Sequence, residues 1–429
     1  MKKLLQWALH VDNKFYNIII HQVCIWQNFY QNLLKNIGKT INKPSIHLTR
    51  ISIGFFWASL YLYVPVLPIH VTNITGSLET VGIILSAYAI AQLLLRIPIG
   101  LLADKIGNKK LSLIAILLSS LGSILLMMSN NANSLFLSRT LTGLAAAGWV
   151  PISILYSSYF TSENTDKSMS EIVMINSIGL LSATYMGGIL AEKYGINFVF
   201  VTAFIFGIIS LICMSFSQEV KKMPIDNHHI QNPIQKLKKT MNKNLMAICV
   251  VGSCLFYLTF STIYGFIPIY LEKLGSSETM IGFIIAFSLG ASLYGAFLLP
   301  KLNNKFSYKI VICNTWLLMI VTTLITPITN NVMLIILLQF FCGIGRGIMT
   351  ALLMSLVIKQ SSMENKSTSM GIYQSLYSVG MFVGPFLSGI IAAMTKVESI
   401  FYLAAIICIF GMFVSILFVK PLEYKQNRI

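Results

Sequence analysis

Acidic residues are scarce in this chain. Fourteen Asp and Glu stand among 429 residues, against 31 Lys and Arg, and charged residues together make up only 10% of the whole. An ordinary soluble domain carries about 25%, so a water-facing surface cannot be built from this composition. Cysteine is also sparse. Cys213, Cys249, Cys254, Cys313, Cys342 and Cys408 lie inside apolar runs and Cys24 lies near the start, which excludes a disulfide-stapled extracellular framework. No metal-ligand spacing, nucleophile elbow or phosphate loop occurs, and GIGRG at 343–347 follows no strand. An enzyme is therefore not expected, nor a cofactor or a metal.

What the chain does have is hydrophobic residues, 55% of the total. A single water-facing core stops growing at about 250–300 residues, so lipid must act as solvent. Windows of about 20 apolar residues, long enough to cross the hydrocarbon, fall near 49–70, 79–101, 111–129, 134–157, 170–190, 197–217, 245–270, 279–299, 310–327, 332–357, 370–393 and 399–419. These twelve spans predict an all-α integral membrane protein, since hydrocarbon offers no partner for free backbone groups. One long polar stretch divides them. The expected organisation is an N-terminal extension (1–48), a six-helix bundle (49–217), a linker (218–244), a second six-helix bundle (245–419) and a tail (420–429).

Charge sets the orientation. Only Lys193, Lys273 and Lys396 fall in the loops of one side, and only Arg96, Arg139 and Arg346 within spans; all other Lys and Arg, Arg50 among them, fall on the side of the two termini. That bias predicts a multi-pass protein of the cell membrane with both termini cytoplasmic. Anionic lipids of the inner leaflet then account for the +17 net charge, with no nucleic-acid partner. Leu4, Ala8, Val11, Phe15, Ile18, Ile25, Phe29, Leu33 and Ile37 recur at helical spacing, so the N-terminal extension reads as an amphipathic helix on the inner surface or, from its Asn-rich polarity, a disordered segment.

The two halves repeat at an offset near 200. LPIHV (67–71) answers IPIYL (267–271), TGSLETVG (75–82) answers GSSETMIG (275–282), Gly143 falls on Gly343, and IGLLSATYMGG (178–188) answers VGMFVGPFLSG (379–389). Secondary transporters are commonly duplicated in this way, with the substrate bound at midplane between repeats.

GLLADKIGNKK at 100–110 lies between spans 2 and 3 and resembles the signature of the major facilitator superfamily. Gly100, Leu102, Ala103, Asp104, Gly107 and Lys109 match it, Lys105 keeps the charge of the usual Arg, and Asn108 departs. The resemblance implies a cytoplasmic latch in which Asp104 faces a helix N-terminus of the other half. Such a carboxylate gains about 0.3–1 kcal/mol there, while Gly100 permits close helix approach and Gly107 a tight turn. The second half has Asn304 in place of Asp104, so the latch is expected on one side only. SRTLTGLAAAG resembles a second signature through Arg139, Gly143 and Ala147, whose small residues favour helix packing. A glycine-rich antiporter element is partly kept by Gly179, Gly187 and Gly188, with Ala183 and Thr184 replacing its Gly-Pro, and more fully by Gly380, Gly384, Pro385 and Gly389.

The acids all lie in tails, loops or span ends, so the deep charges are the three arginines. Each costs at least about 2.5 kcal/mol without water or a partner. Arg96 reads best as bonded to carbonyls of a broken helix. Arg139 and Arg346 read as substrate or coupling residues; Arg346 is nearest the middle of its span and has Ala146 as its first-half equivalent. Most aromatics are expected in packing or the interfacial belt. From the resemblance, Tyr61, Gln92, Asn176, Tyr264, Tyr373, Gln374 and Tyr377 would line the cavity. The function so implied is secondary transport by alternating access: proton-coupled export, hence antiport, of a small organic molecule by a monomer among membrane lipids. Two alternatives stand beside it, a carrier of anionic metabolites and a transport-dead membrane sensor or scaffold.

Overall fold

A computed structural model describes residues 43–160, 165–219, 240–361 and 366–419. The N-terminal extension through residue 42, most of the linker (220–239) and the tail (420–429) lie outside the described residues. The described chain is helical, with no strand among the described residues. In order its helices are α1 (Lys43–Tyr61), α2 (Leu67–Thr75), α3 (Leu78–Ile106), α4 (Asn108–Met128), α5 (Ala132–Ala147), α6 (Trp149–Ser157), α7 (Thr165–Tyr194) and α8 (Ile196–Phe216). Then come α9 (Lys243–Ser261), α10 (Ile267–Lys273), α11 (Glu278–Lys305), α12 (Tyr308–Ile325), α13 (Val332–Gln360), α14 (Lys366–Met394) and α15 (Ser399–Phe418).

Eleven helical segments among the described residues are long and apolar enough to cross a membrane, counting α5–α6 and α9–α10 as one each. The α1–α2 pair is not among them, because the first two turns of α1 hold Lys43, His47, Thr49 and Arg50. Consecutive spans turn back sharply. Ser77 Oγ accepts from the Thr80 amide at 3.3 Å, Asn131 and Ser134 form a capping box, and Asn331 Oδ1 accepts from the Met333 amide at 2.9 Å. Each satisfies amides that a helix start leaves free. The face on which α1 begins is the near face, and the opposite one the far face.

Two spans are interrupted at equivalent places. The helix stops at 62–66 between α1 and α2, and a π-helical turn (Thr262–Phe266) separates α9 from α10. Proline removes an amide donor and crowds the preceding turn, and here Pro65 and Pro68 face Gly265 and Pro268 at an offset of 200. A third interruption, at Gly148, separates α5 from α6 just ahead of Pro151.

Burial is inverted relative to a soluble protein. Leu137, Met333 and Met394 are 68%, 73% and 79% exposed, whereas small polar side chains are enclosed. Ser52 bonds the Ser210 carbonyl at 2.9 Å, Ser59 meets Ser119 at 3.2 Å, and Trp316 Nε1 donates to Ser415 Oγ at 3.1 Å. In lipid, apolar contact between helices offers little driving force, so small residues and hydroxyls hold helices together. The halves of the repeat meet where α3 packs on α14 and α7 on α11. Towards the far face these crossings are glycine on glycine. A methyl group at Gly82 would lie 2.8 Å from the Gly389 Cα, and one at Gly188 3.0 Å from the Gly282 Cα.

Candidate functional site

The interruptions of α1 and α9 face each other and bring a ring of aromatics to the centre. Tyr61, the last residue of α1, meets Tyr264 of the π turn edge-on at 5.7 Å. Phe260 stacks on Tyr88 of α3 at 6.4 Å and meets Tyr264 at 5.1 Å. With Leu60, Val64 and Arg139 these side chains line a small cleft. The wall is therefore drawn from both halves of the repeat.

Two arginines reach this region. Arg139 on α5 places its guanidinium carbon 4.3 Å above the Tyr88 ring, and its Nε and Nη1 have no hydrogen-bond partner. One turn further along, Gly143 lies against the Tyr88 backbone and sets the height. Arg346 on α13 donates from Nη2 to Ser288 Oγ at 2.6 Å, and that hydroxyl donates to the Gln339 carbonyl at 2.7 Å. Its Nε has no partner, and its charge is within electrostatic reach of Tyr264. Positions 88 and 288 are repeat equivalents, and Gly343 rests on the Ser288 backbone as Gly143 rests on Tyr88. Arg139 and Arg346 thus attach to corresponding points of the two halves. Both are buried, and the one buried carboxylate among the described residues, Glu171, lies near the opposite end of α7 from the far-face crossings.

Arg96 lies nearer the near face and is linked to the aromatic ring through Gln92, which also bonds Tyr88. Its Nη1 donates to Tyr377 Oη at 3.0 Å and to the Gln374 carbonyl at 3.2 Å, and its Nη2 donates to Gln92 Oε1 at 2.5 Å. Tyr377 in turn stacks on Phe256 at 3.9 Å. The broken helix anticipated around Arg96 is not present. Helix α3 is continuous there, and the carbonyl belongs to α14, in the other half. Of the other expected cavity residues, Tyr373 packs its ring on Tyr377 at 5.2 Å with an unpartnered hydroxyl, and half-buried Asn176 has an unpartnered Oδ1. Neither joins the Tyr61–Tyr264 ring.

The signature stretch is mostly helix. Gly100–Ile106 form the last turns of α3, and the chain turns only at Gly107, whose φ of 101° suits a residue without a side chain. The side chain of Asp104, like position 100, lies outside the described residues. Lys109 donates from Nζ to the carbonyls of Ser215 at 2.8 Å and Ser217 at 2.6 Å, and its amide donates to Glu219 Oε1 at 3.2 Å. A cation on the last carbonyls of a helix is favourable. This contact ties the turn to the end of α8, within the same half.

One buried constellation escapes a reading of the sequence. Arg50, grouped there with the tail charges, is 4% exposed and ion-paired with Glu171, itself 6% exposed. Its Nε also donates to Tyr156 Oη at 2.9 Å. The available signal was that both charges sit inside the near ends of apolar helices whose other residues pack inward.

Comparison with known proteins bears on this arrangement. A family model described as the Major Facilitator Superfamily matches residues 51–272 and 249–428. The inner membrane transport protein YajR of Escherichia coli is 24% identical, over 86% of this chain and 82% of that protein. A homolog of the multi-drug resistance efflux pump PmrA from Lactococcus lactis is 26% identical, over 83% and 90%. The quinolone resistance protein NorA of Staphylococcus aureus is 23% identical, over 88% and 95%. Among solved structures, the nucleoside transporter NupG superposes with a TM-score of 0.73 at 14% identity, covering 88% of this chain and 100% of that one. A bacterial homolog of the human lysosomal transporter Spinster, inward-facing and occupied, gives 0.73 at 12% identity, over 87% and 95%. These structures are alike in fold.

Proposed function

The chain belongs to the major facilitator superfamily, and on that premise we propose that it is a twelve-span secondary transporter working by alternating access. The interrupted α1–α2 pair supplies the twelfth span, and the spans form two six-helix bundles with both termini cytoplasmic. Its cargo is a small organic molecule held in the central cleft. The observation that carries this reading is the cleft itself, walled by Tyr61, Tyr88 and Arg139 from one half and Phe260 and Tyr264 from the other. A site built from both halves is remade whenever they rock against each other. The glycine crossings at the far face supply a tight seal on one side of it.

Outward movement is favoured by the efflux pumps among the relatives. Exchange for protons is the coupling proposed. The Asp104 latch belongs to the same reading and acts at the near face.

Reconstitution of the full chain into liposomes tests the proposal. Efflux of anionic, neutral and cationic aromatic dyes is followed with and without a pH gradient. Saturable flux of one class, accelerated by the gradient, is expected. No flux of any dye from well-folded protein would overturn the transporter reading in favour of a sensor or scaffold. Flux indifferent to the gradient would remove the proton.

A further inference from the structure

We infer that the central cleft is an anion site, and that its ligand is a small aromatic carboxylate held by Arg139 from the first half and Arg346 from the second. The inference rests on the transporter reading and assigns a substrate class to the same cleft.

The argument begins with unmet donors. Arg139 is 6% exposed and leaves Nε and Nη1 unbonded; Arg346 is 4% exposed and leaves Nε unbonded. A buried charge is retained where it is paired or bonded. The partners present are the Tyr88 ring face and the Tyr63 hydroxyl for Arg139 and a serine hydroxyl for Arg346, all neutral. Among the described residues the only buried carboxylate is Glu171, which already answers Arg50. One positive charge, Arg139, therefore lines the cleft and a second, Arg346, lies within electrostatic reach of its wall at Tyr264, with no other buried carboxylate among the described residues to balance them.

Arg96 shows that this is not the general fate of an arginine in this protein. It spends both terminal nitrogens on Gln92, Gln374 and Tyr377 and leaves only its Nε open. Donors left open at Arg139 and Arg346 point to a group that arrives from outside. A guanidinium matches the paired oxygens of a carboxylate in its planar fork. The rest of the wall selects the body of the ligand. Tyr61, Tyr88, Phe260 and Tyr264 make the rest of the wall aromatic, which suits a flat apolar group. A cationic ligand would add a third positive charge beside two unscreened ones and is excluded by the same electrostatics.

Because one arginine comes from each half, the anion also has a mechanical role. Without it, approach of the halves brings like charges together. With it, each half holds the same carboxylate.

Three isosteric probes test this on the full chain in detergent: benzoate, benzamide and benzylammonium. Binding is read by thermal shift and by fluorescence of Trp57, whose ring lies 5.9 Å from Tyr61. Benzoate is expected to bind saturably and at least about tenfold more tightly than the other two. Arg346→Gln and Arg139→Gln should each weaken benzoate about 30-fold or more, as loss of one partner of a buried charge pair does. Arg346→Lys should retain part of the affinity. Benzylammonium binding as well as benzoate, no saturable benzoate binding, or undiminished binding in Arg346→Gln would each overturn the anion site. If a Gln variant does not fold, the ranking of the three probes on the unaltered chain decides alone. Cationic-dye flux without benzoate binding would remove the anion site and leave the transporter standing; benzoate binding without any flux would do the reverse.

Discussion

Arg50 and Arg96 are as deeply enclosed as Arg139 and Arg346, with 4% and 9% of their surface exposed against 6% and 4%. The first two have answers within the protein, one from a carboxylate and a tyrosine, the other from two glutamines and a tyrosine. Of the second two, Arg139 lines the cleft with two donors unused, and Arg346 lies within electrostatic reach of Tyr264 with its Nε unused. Burial alone therefore does not separate a structural arginine from a functional one. What separates them is whether the surrounding helices already supply the counter-group.

The comparison would break most visibly at Glu171. Glu171→Ala leaves the Arg50 charge buried and uncompensated, a loss of about 3–5 kcal/mol for such pairs. Thermal unfolding in detergent should shift down sharply; an unchanged midpoint would mean that the pair contributes nothing. Arg96→Ala comes next. It removes bonds to a charged group that join α3 to α14, each worth about 1.5–3 kcal/mol. Unfolding should fall moderately, and flux should fall because the two halves lose a tie nearer the near face. Flux without any change in stability or rate would assign Arg96 no role.

A smaller effect is expected at the far face, where Lys273 Nζ meets Glu398 Oε1 at 2.5 Å. The Lys273 hydrogen bond holds the Glu398 carboxyl below its usual range. A carboxyl depressed in the folded state stabilises above its unfolded value and loses that contribution as pH falls through the folded one. Lys273→Ala should thus cost under about 1 kcal/mol near pH 7, a difference that shrinks as pH falls below the ordinary glutamate value and is lost once pH passes the depressed folded one. A penalty that grew on acidification would contradict the pairing. Arg346→Ala should have the least effect on stability, because removing the charge also removes its desolvation cost. Melting should stay within about 1 kcal/mol of the unaltered chain while transport is lost. A collapse in stability like that of Glu171→Ala would place Arg346 with the structural arginines and sharpen the comparison against the anion site.

Several features were legible before any coordinates. Pro68 with Pro268 and Gly82 with Gly282 marked the repeat, and the glycines become a pair of crossings. Arg139 and Arg346 were visible as charges in apolar surroundings. Arg50 was not, because it stands at the edge of its span among tail charges, and its partner Glu171 lies 121 positions away. Lys109 carried a motif, but its grip on the end of α8 depends on where α8 stops.

Sequence by itself determined that the chain is helical and membrane-spanning. Those properties follow from a solvent that cannot satisfy a free backbone group, a constraint met within each segment. Only the tertiary structure decided which arginine found a partner. In lipid every apolar helix face is equally content, so periodicity does not say which helices become neighbours. Whether a guanidinium meets a carboxylate, a tyrosine or an open cleft is settled when the helices pack.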